Sequence, residues 1–488
     1  MIFLLVAGGG KMSKIKRDLT EGPLFLPMIK FVVPIILTGM LQIFYNMADS
    51  IVVGRFSGND SALEAIGSTT SLANLIVNLF MGIAGGAGVV IARSYGAKDH
   101  DKLSRAVHTS MLFSLISGIA FSIIGLIISR PALTLMNTKP ELMDDALLYL
   151  RIICAGIPAS AVYNFGASTL RSVGDSKTPL IILSSSGICN VLLNLLFVLG
   201  FGMSVDGVSL ATIVSQYLSA IVVVLVLILR KSQPYALDTK KLKIDASILK
   251  EILYLGIPAG LQGTLFSISN IILTAGINDL PGYDLEGKAI AINIEGLVHT
   301  AMNSYLHAAM TFTGQNYGAK KPERIKKSII YAVIQVMIVG IVGGQLVNLF
   351  AEPLANLYVD PTVADKDLVI NSAVELMGFM LSVYFLCGVM DTLSGVLRGL
   401  GYSMIPMIVS IGAICVLRMI WVFVFYPMEQ FHSLIGIYTI YPISWSLGVL
   451  AMGIALLIIY PKIKQRLNKQ NEVASEELTV EEKASAEE

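Results

Sequence analysis

Apolar runs of about 20 residues recur along the whole chain, and they limit its possible folds more than any other feature. A helix of that length crosses the roughly 30 Å hydrocarbon core of a bilayer. Only 14% of the 488 residues are charged, whereas soluble domains carry about 25%. The sequence therefore predicts an all-α polytopic membrane protein.

Hydropathy and the polar breaks between runs predict twelve transmembrane helices. They cover 28–54, 61–90, 105–129, 142–166, 178–201, 207–230, 248–277, 288–313, 326–350, 368–396, 404–427 and 434–461. With the N-terminus inside, 28 of the 35 Lys and Arg residues fall on the inner side and five on the outer side. Inner loops of membrane proteins carry this excess. We therefore expect a multi-pass protein of the cytoplasmic (plasma) membrane with both termini in the cytoplasm.

Three patterns recur in the same order, 222 to 227 residues apart. The segment "RSYGAKDHDKLSRAV" from position 93 returns as "QNYGAKKPERIKKSI" from 315, and "LRSVGDSKTP" from 170 returns as "LRGLGYSMIP" from 397. The spacing of Pro34 and Asn46 returns in Pro258 and Asn270. Because each half holds an even number of spans, the two repeats are parallel. Such repeats are typical of transporters that open alternately to either side.

The repeat predicts how the chain is divided. The predicted segments are a cytoplasmic N-terminal segment 1–27, a six-helix bundle 28–230, a basic cytoplasmic linker 231–247, a second six-helix bundle 248–461 and a disordered cytoplasmic tail 462–488. The tail prediction follows from its polar composition, which cannot bury an apolar face. Met1 and Met12 are both open as the translation start.

Small and thiol side chains have structural interpretations. The glycine pairs Gly82–Gly86, Gly340–Gly344 and Gly395–Gly399 predict close helix packing. The repeated "YGAK" predicts a helix end. All four cysteines lie in apolar segments without a CxxC partner, so we expect buried thiols rather than disulfides or metal ligands. No catalytic motif appears, and the net charge of +1 does not favour a nucleic-acid partner.

One carboxylate, Asp49, interrupts the first apolar run. It shares a helical face with Gln42, Tyr45 and Asn46. Asn190 and Asn194 share a face of the fifth span, and Thr212 lies in the sixth. Carboxylate, amide and hydroxyl oxygens suit a hard monovalent cation or a proton relay, whereas hydrogen bonding between helices is the structural alternative. Asp49 corresponds to a position near Leu273 in the repeat, so this oxygen-rich cluster is expected in the first half only.

Other polar residues within the spans have weaker interpretations. Glu295, Glu375 and Arg418 lie at similar depths in the second half, so we expect a structural or gating ion pair between Arg418 and one of the glutamates. Polar candidates for lining a substrate cleft are Gln42, Tyr45, Asn46, Asn164, Gln262, Asn270 and Asp391.

Several of these segments resemble one known family. The motifs "YNMADSIVVGRF", "GASTLRSVGDSKTP", "SYGAK" and "GQNYGAK" within residues 20–462 look like those of multidrug and toxic compound extrusion (MATE) transporters. The resemblance implies a V-shaped pair of six-helix bundles. It also implies antiport, in which organic, often cationic, compounds leave as Na⁺ or H⁺ enters.

The resemblance extends to individual site residues. Asp49 matches the family's ion-linked carboxylate, Asn190 an asparagine on helix five and Thr212 a position on helix six. Asn194 lies where many members carry aspartate, and Phe266 lies where some branches carry a glutamate. The match implies coupling of Na⁺ or H⁺ at these residues, with Na⁺ as the candidate metal at Asp49, Asn190 and Asn194. Asp391 lies near an acidic region of helix ten.

The functional prediction is thus a monomeric secondary antiporter in the lipid bilayer, which needs no cofactor and exports small organic cations or other amphipathic compounds. A flippase for lipids or lipid-linked oligosaccharides is an alternative from the same broad superfamily. A membrane sensor or scaffold is a further alternative, and an enzyme has no positive support.

Overall fold

The computed structural model describes residues 18–56, 62–136, 138–277, 280–359 and 365–487. These residues are helical almost throughout, and no strand occurs among them. The predicted all-α class is therefore confirmed. Residues 1–17, and with them the choice between Met1 and Met12, lie outside the described ranges.

The first half contributes six long helices. They are α1 (Phe25–Phe56), α2 (Ala62–Gly96), α3 (His100–Leu135), α4 (Met143–Ser172), α5 (Lys177–Leu195) and α6 (Val205–Leu229). A π-helical segment, Leu196–Gly200, extends α5, and short 3-10 helices form at Pro140–Leu142 and Thr239–Lys241.

The second half is more interrupted. Its helices are α7 (Ala246–Ala275), α8 (Gly282–Gly318), α9 (Pro322–Leu349), α10 (Ala351–Asn356), α11 (Lys366–Val383), α12 (Phe385–Gly399), α13 (Met404–Ser410), α14 (Leu417–Ile420), α15 (Leu434–Tyr438) and α16 (Ile440–Glu487). The π-helical segments Ile411–Val416 and Trp421–Phe425 flank α14, and a 3-10 helix forms at Glu429–Phe431.

Ten of the described helices are long and apolar enough to cross a membrane. Helices α11 and α12, bent by 45° where they meet, add an eleventh span if they are counted together. The remaining predicted span, 288–313, lies within α8, which has the length but not the hydropathy. Polar side chains such as Glu295, His299 and Asn303 lower its hydropathy, and such residues in a spanning helix are expected to face the protein interior.

The described chain divides into two compact units. Unit 1 includes Lys30–Ile91 and Asp99–Thr264, and unit 2 comprises Asp18–Ile29, Ala92–Lys98 and Leu265–Glu488. The boundary falls inside α7, because the N-terminal part of that helix packs on α2. The division into bundles at 28–230 and 248–461 stays a prediction.

The glycine pair in "GIAGGAG" brings α2 and α7 together within unit 1. A Cβ atom on Gly82 would collide with the backbone of Gly260, and one on Gly86 would lie 2.5 Å from the nitrogen of Gly256. The other two pairs behave alike: a Cβ on Gly344 would lie 2.8 Å from the carbonyl oxygen of Leu381, and one on Gly395 would collide with Leu306. The predicted close packing is therefore confirmed at all three pairs.

The internal repeat is visible in the backbone. Lys98 and Lys320, the lysines of the two "YGAK" motifs, have φ of 57° and 54° and are the sole non-glycine residues with positive φ in the described chain. Gly174 and Gly401 of the second motif pair have φ of 88° and 85°. Equivalent positions thus adopt the same uncommon conformation. Helices α2 and α8 end at the motif glycines, as the repeated sequence predicted.

The C-terminal prediction was wrong for the described residues. Helix α16 continues through the expected disordered tail to Glu487. The reason lies in residues such as Glu, Lys and Ala, which have high helix propensity. A segment without an apolar face can therefore still be helical.

Candidate functional site

The site in unit 1 is formed around Asp49 on α1. Asn194 on α5 donates a hydrogen bond from its side-chain amide to Asp49 Oδ1. Thr212 on α6 donates a longer hydrogen bond of 3.5 Å to Asp49 Oδ2. Three helices therefore present polar groups to one another at this carboxylate.

Two buried amide oxygens lie on the same face of α5. Asn190 is 4% exposed and Asn194 is fully buried. The Oδ1 atoms of both residues lack a hydrogen-bond partner. Buried polar atoms are nearly always paired, so an orphaned oxygen requires an explanation. These two amide oxygens accept no hydrogen bond, and they lie on the helix that contacts Asp49. Such oxygen atoms can act as ligands of a hard cation such as Na⁺.

A small apolar cluster lies beside the carboxylate. It consists of Val52, Val198, Val205 and Val208, and the ring of Tyr149 from α4 packs against it. No spacing in the chain connects Tyr149 with the other site residues, since it lies on a different helix, and it was missed.

Close helix approach positions the polar face of α1. The ring of Tyr45 lies where a Cβ atom of Gly187 would be, and the Tyr45 hydroxyl donates to the carbonyl oxygen of Ser184 at 3.2 Å. Gly187 was also missed, although a glycine three residues before Asn190 in an apolar helix is a usable signal for close approach.

The remaining cleft candidates are dispersed. Gln42 and Asn46 are exposed, and Gln262 is half-buried. Asn164 donates to the carbonyl oxygen of Ser160 in its own helix at 2.9 Å. These environments fit polar groups along helix surfaces, and a role for the four residues in lining a cleft stays a prediction.

The predicted ion pair of Arg418 is not formed in the structure. Arg418 donates to Asn270 Oδ1 at 3.1 Å, and its guanidinium lies over the rings of Tyr441 at 4.0 Å and Phe266 at 5.4 Å. Aromatic faces and an amide therefore offset part of the cost of burying this cation. Depth along a span carries no information about the direction in which each side chain projects.

Neither glutamate takes the predicted role. Glu295 is 5% exposed and its Oε1 lacks a partner, whereas Glu375 is exposed. The prediction is corrected accordingly for this state of the protein.

Unit 2 contains a polar cluster of its own around Asp391 on α12. Asn303 on α8 donates to Asp391 Oδ2 at 3.0 Å, and His299 Nε2 lies 3.6 Å from the same oxygen. This cluster presents an amide nitrogen and an imidazole nitrogen to the carboxylate, so the expectation that the oxygen-rich cluster occurs in the first half only stays a prediction. His299 and Asn303 are one turn apart, the same spacing as Asn190 and Asn194, and that signal was overlooked.

Long apolar helices combined with half-buried carboxylates that are bound by polar side chains of neighbouring helices define a polytopic membrane transporter. A MatE family model matches residues 34–196 and 258–424. The chain therefore belongs to the MatE family, whose members are transporters rather than enzymes.

Similarity to individual relatives extends over most of the chain. It is 28% identical over 440 residues to the probable multidrug resistance protein YoeA of Bacillus subtilis, covering 89% of this chain and 92% of the relative. It is 25% identical over 402 residues to the probable multidrug resistance protein NorM of Thermotoga maritima, with 80% and 83% coverage.

A solved structure shares the fold. It is described as an outward-facing conformation of a multidrug resistance MATE family transporter of the MOP superfamily. The TM-score is 0.83 at 22% identity, covering 93% of this chain and 99% of that one.

Proposed function

We propose that this protein is a secondary antiporter that exports small organic, often cationic, compounds from the cell in exchange for Na⁺ or H⁺. The observation that carries the proposal is the cluster at Asp49, where Asn194 and Thr212 bind the carboxylate and two amide oxygens on α5 are unpaired. A buried carboxylate in a membrane helix is costly, and such residues mark ion or proton pathways.

The donor set suits either coupling ion. A Na⁺ ion would be held by Asp49, Asn190, Asn194 and Thr212, which offer only oxygen ligands, and it would neutralise the carboxylate. A proton on Asp49 would neutralise it equally and turn one carboxylate oxygen into a donor. In both cases the electrostatic attraction that holds the neighbouring amide weakens, so α1 can change its packing against α5 and α6.

Coupling requires that the ion and the exported compound favour opposite states of one conformational equilibrium. Neutral and charged Asp49 differ in the hydrogen bonds that they make to α5 and α6. The charge state of one residue therefore changes the relative stability of two packings of the same three helices. The parallel repeat supplies an architecture in which such states can alternate.

The substrate class rests on relatives. YoeA and NorM are both named as probable multidrug resistance proteins. We therefore propose that this protein also exports chemically diverse compounds. We propose that the protein lies in the cytoplasmic membrane with both termini in the cytoplasm, since basic residues concentrate in the corresponding connections. A monomeric state is part of the proposal and has no structural support of its own.

Reconstitution tests this proposal. Purified protein in liposomes loaded with a cationic dye should show counterflow of dye when an inward Na⁺ or proton gradient is imposed separately. Acceleration by one gradient identifies the coupling ion. Dye retention under both gradients, together with scrambling of a labelled lipid, would instead establish the flippase alternative.

A further inference from the structure

We propose a binding site for a thiophilic divalent metal ion in unit 2, formed by His299, Cys387 and Asp391. One ligand atom from each residue, namely an imidazole nitrogen, the Cys387 sulfur and a carboxylate oxygen, lies within 4.8 Å of the other two. No other group of this kind occurs in the described part of the chain. The geometry revises our expectation that none of the cysteines is a metal ligand.

Two helices hold the three ligands. Cys387 and Asp391 are one turn apart on α12 and therefore share a face, and His299 reaches them from α8. His299 Nε2 and Asp391 Oδ2 are 3.6 Å apart. Two ligands on a tetrahedral Zn²⁺ ion are separated by roughly 3.5 Å, given bonds of about 2.0–2.3 Å. Side-chain adjustments of about 1 Å therefore suffice to close the site.

The surroundings orient two of the ligands. Asn303 donates to Asp391 at 3.0 Å, which restricts the rotation of the carboxylate. The ring of Tyr384 lies 6.2 Å from that of His299, and Tyr384 packs in turn on Trp445 at 5.4 Å. Partners that orient the ligands of a metal are as typical of real sites as the ligands themselves.

Charge balance favours a divalent ion with a thiolate. Binding replaces the proton of the Cys387 thiol by a metal–sulfur bond, and the proton goes to solvent. The thiolate and the Asp391 carboxylate then supply two negative charges, so the site with a divalent ion is neutral. Neutrality is favourable where charges are costly to bury. Sulfur and imidazole select Zn²⁺, Co²⁺ or Cd²⁺ over Na⁺ or Mg²⁺.

The ligands differ in their accessibility to an incoming ion. The His299 side chain is 36% exposed and that of Asp391 is 15% exposed, whereas Cys387 is buried at 2%. The sulfur thus forms the inner wall of the site and the imidazole lies at its entrance. Three protein ligands also leave a fourth tetrahedral position open.

Bridging by a metal would connect α8 and α12. If the proposed transport function is correct and transport requires α8 and α12 to change their packing, a bound ion would slow that change. The site would then act as an inhibitory clamp. This consequence rests on the proposed function, whereas metal binding itself does not.

Cobalt spectroscopy on the full-length protein in detergent, under reducing conditions, tests the site directly. Native protein should bind about one Co²⁺ and show thiolate-to-cobalt charge-transfer absorption. Cys387→Ser should lose that absorption, whereas the matched control Cys415→Ser should keep it, because Cys415 lies outside the group. Persistence of the absorption in Cys387→Ser, or its absence from native protein at saturating Co²⁺, would overturn the proposal.

Cys387 is buried, so Cys387→Ser could fail to fold. His299 and Asn303 are half-buried, and replacing either one tests the site with less risk to folding. His299→Gln should weaken Co²⁺ binding at least about tenfold, and Asn303→Leu should weaken it by a similar factor through loss of carboxylate orientation. Thermal unfolding without metal confirms that each variant is folded. Native Co²⁺ affinity in His299→Gln would contradict the assignment. Because this readout needs no gradient, failure of dye export leaves the spectroscopic result intact.

Discussion

Asn194 on α5 donates a hydrogen bond to Asp49 on α1, although 145 residues separate them in the chain. The same amide has an oxygen without a partner, and Asn190 places a second such oxygen one turn away. The contact therefore does two things. It satisfies part of the hydrogen-bonding capacity of a half-buried carboxylate, and it holds an unpaired oxygen on the helix that contacts the carboxylate.

Replacing Asn194 should affect both stability and coupling. Asn194→Leu removes a hydrogen bond to a charged group, which should lower the free energy of unfolding by about 1.5–3 kcal/mol and reduce ion-driven dye export at least tenfold. Asn164→Leu is the matched control, because Asn164 donates within its own helix. Thermal unfolding and liposome efflux check the two effects. Equal losses in both variants would contradict a specific role for Asn194.

The contact between Tyr45 and Gly187 gives a steric prediction. Gly187→Ala places a methyl group in the Tyr45 ring, and overpacking of this kind costs about 1–3 kcal/mol. The melting temperature should fall, and dye export should fall with it because α1 and α5 separate. Gly453→Ala adds a methyl group in open space on α16 and should not lower stability. Native behaviour of Gly187→Ala would show that the helices do not pack this closely.

The two "YGAK" lysines offer a stabilising change. Lys98 and Lys320 are exposed and have positive φ, a conformation that costs a residue with a side chain about 1 kcal/mol relative to glycine. Lys98→Gly and Lys320→Gly should each raise the melting temperature. A lower melting temperature in either variant would mean that the lysine side chain contributes more than its backbone conformation costs.

Asp245 predicts a pH-dependent contribution at the start of α7. Its carboxylate accepts from the backbone of Ile248 at 3.1 Å and Ser247 at 2.9 Å and pairs with Arg105 at 3.0 Å. The pKa of Asp245 lies below its usual value, mainly because its carboxylate accepts the backbone hydrogen bond from Ile248. Burial acts in the opposite direction, and the hydrogen bond from Arg105 lowers the pKa further. The stabilisation should therefore be complete above about pH 4 and disappear as the pH falls through the lowered pKa.

Melting curves of native protein and Asp245→Ala across pH check this sign. The difference between the two melting temperatures should be largest at neutral pH and narrow in acid. A smaller difference should remain there, because the protonated carboxyl group still accepts hydrogen bonds. Asp245→Asn keeps a capping acceptor but loses the charge, so its melting temperature should lie between the other two at neutral pH. A difference that grows as the pH falls would contradict the assignment.

Helical spacing made much of unit 1 predictable. Asp49, Asn194 and Thr212 are rare polar residues in apolar helices, and the rule that such groups face partners rather than lipid was enough to group them. A role for Asn190 in the same site stays a prediction. The glycine pairs were predictable for a similar reason, since a small residue every four positions has few other uses in a membrane helix.

The missed contacts depend on how each helix is rotated about its axis. Tyr149 of α4 packs against the valine cluster beside Asp49. Arg418 turns to Asn270 and aromatic rings instead of a glutamate. Depth along a span can be counted from a sequence, but rotation and the neighbour across the interface follow from packing of whole helices. The His299–Asp391 pair was missed because only Asp391 carried a family signal.

The central claim is that the charge of Asp49 couples ion entry to export. Dye efflux from liposomes, measured under separately imposed Na⁺ and proton gradients for native protein, Asp49→Asn and the exposed control Asp144→Asn, tests it most directly. We predict that efflux by native protein and by Asp144→Asn accelerates under one of the gradients. The efflux rate of Asp49→Asn should be lower by at least about tenfold, equivalent to about 1.4 kcal/mol, and should no longer depend on the ion gradient. Efflux by Asp49→Asn at the native rate and with native ion dependence would contradict the account.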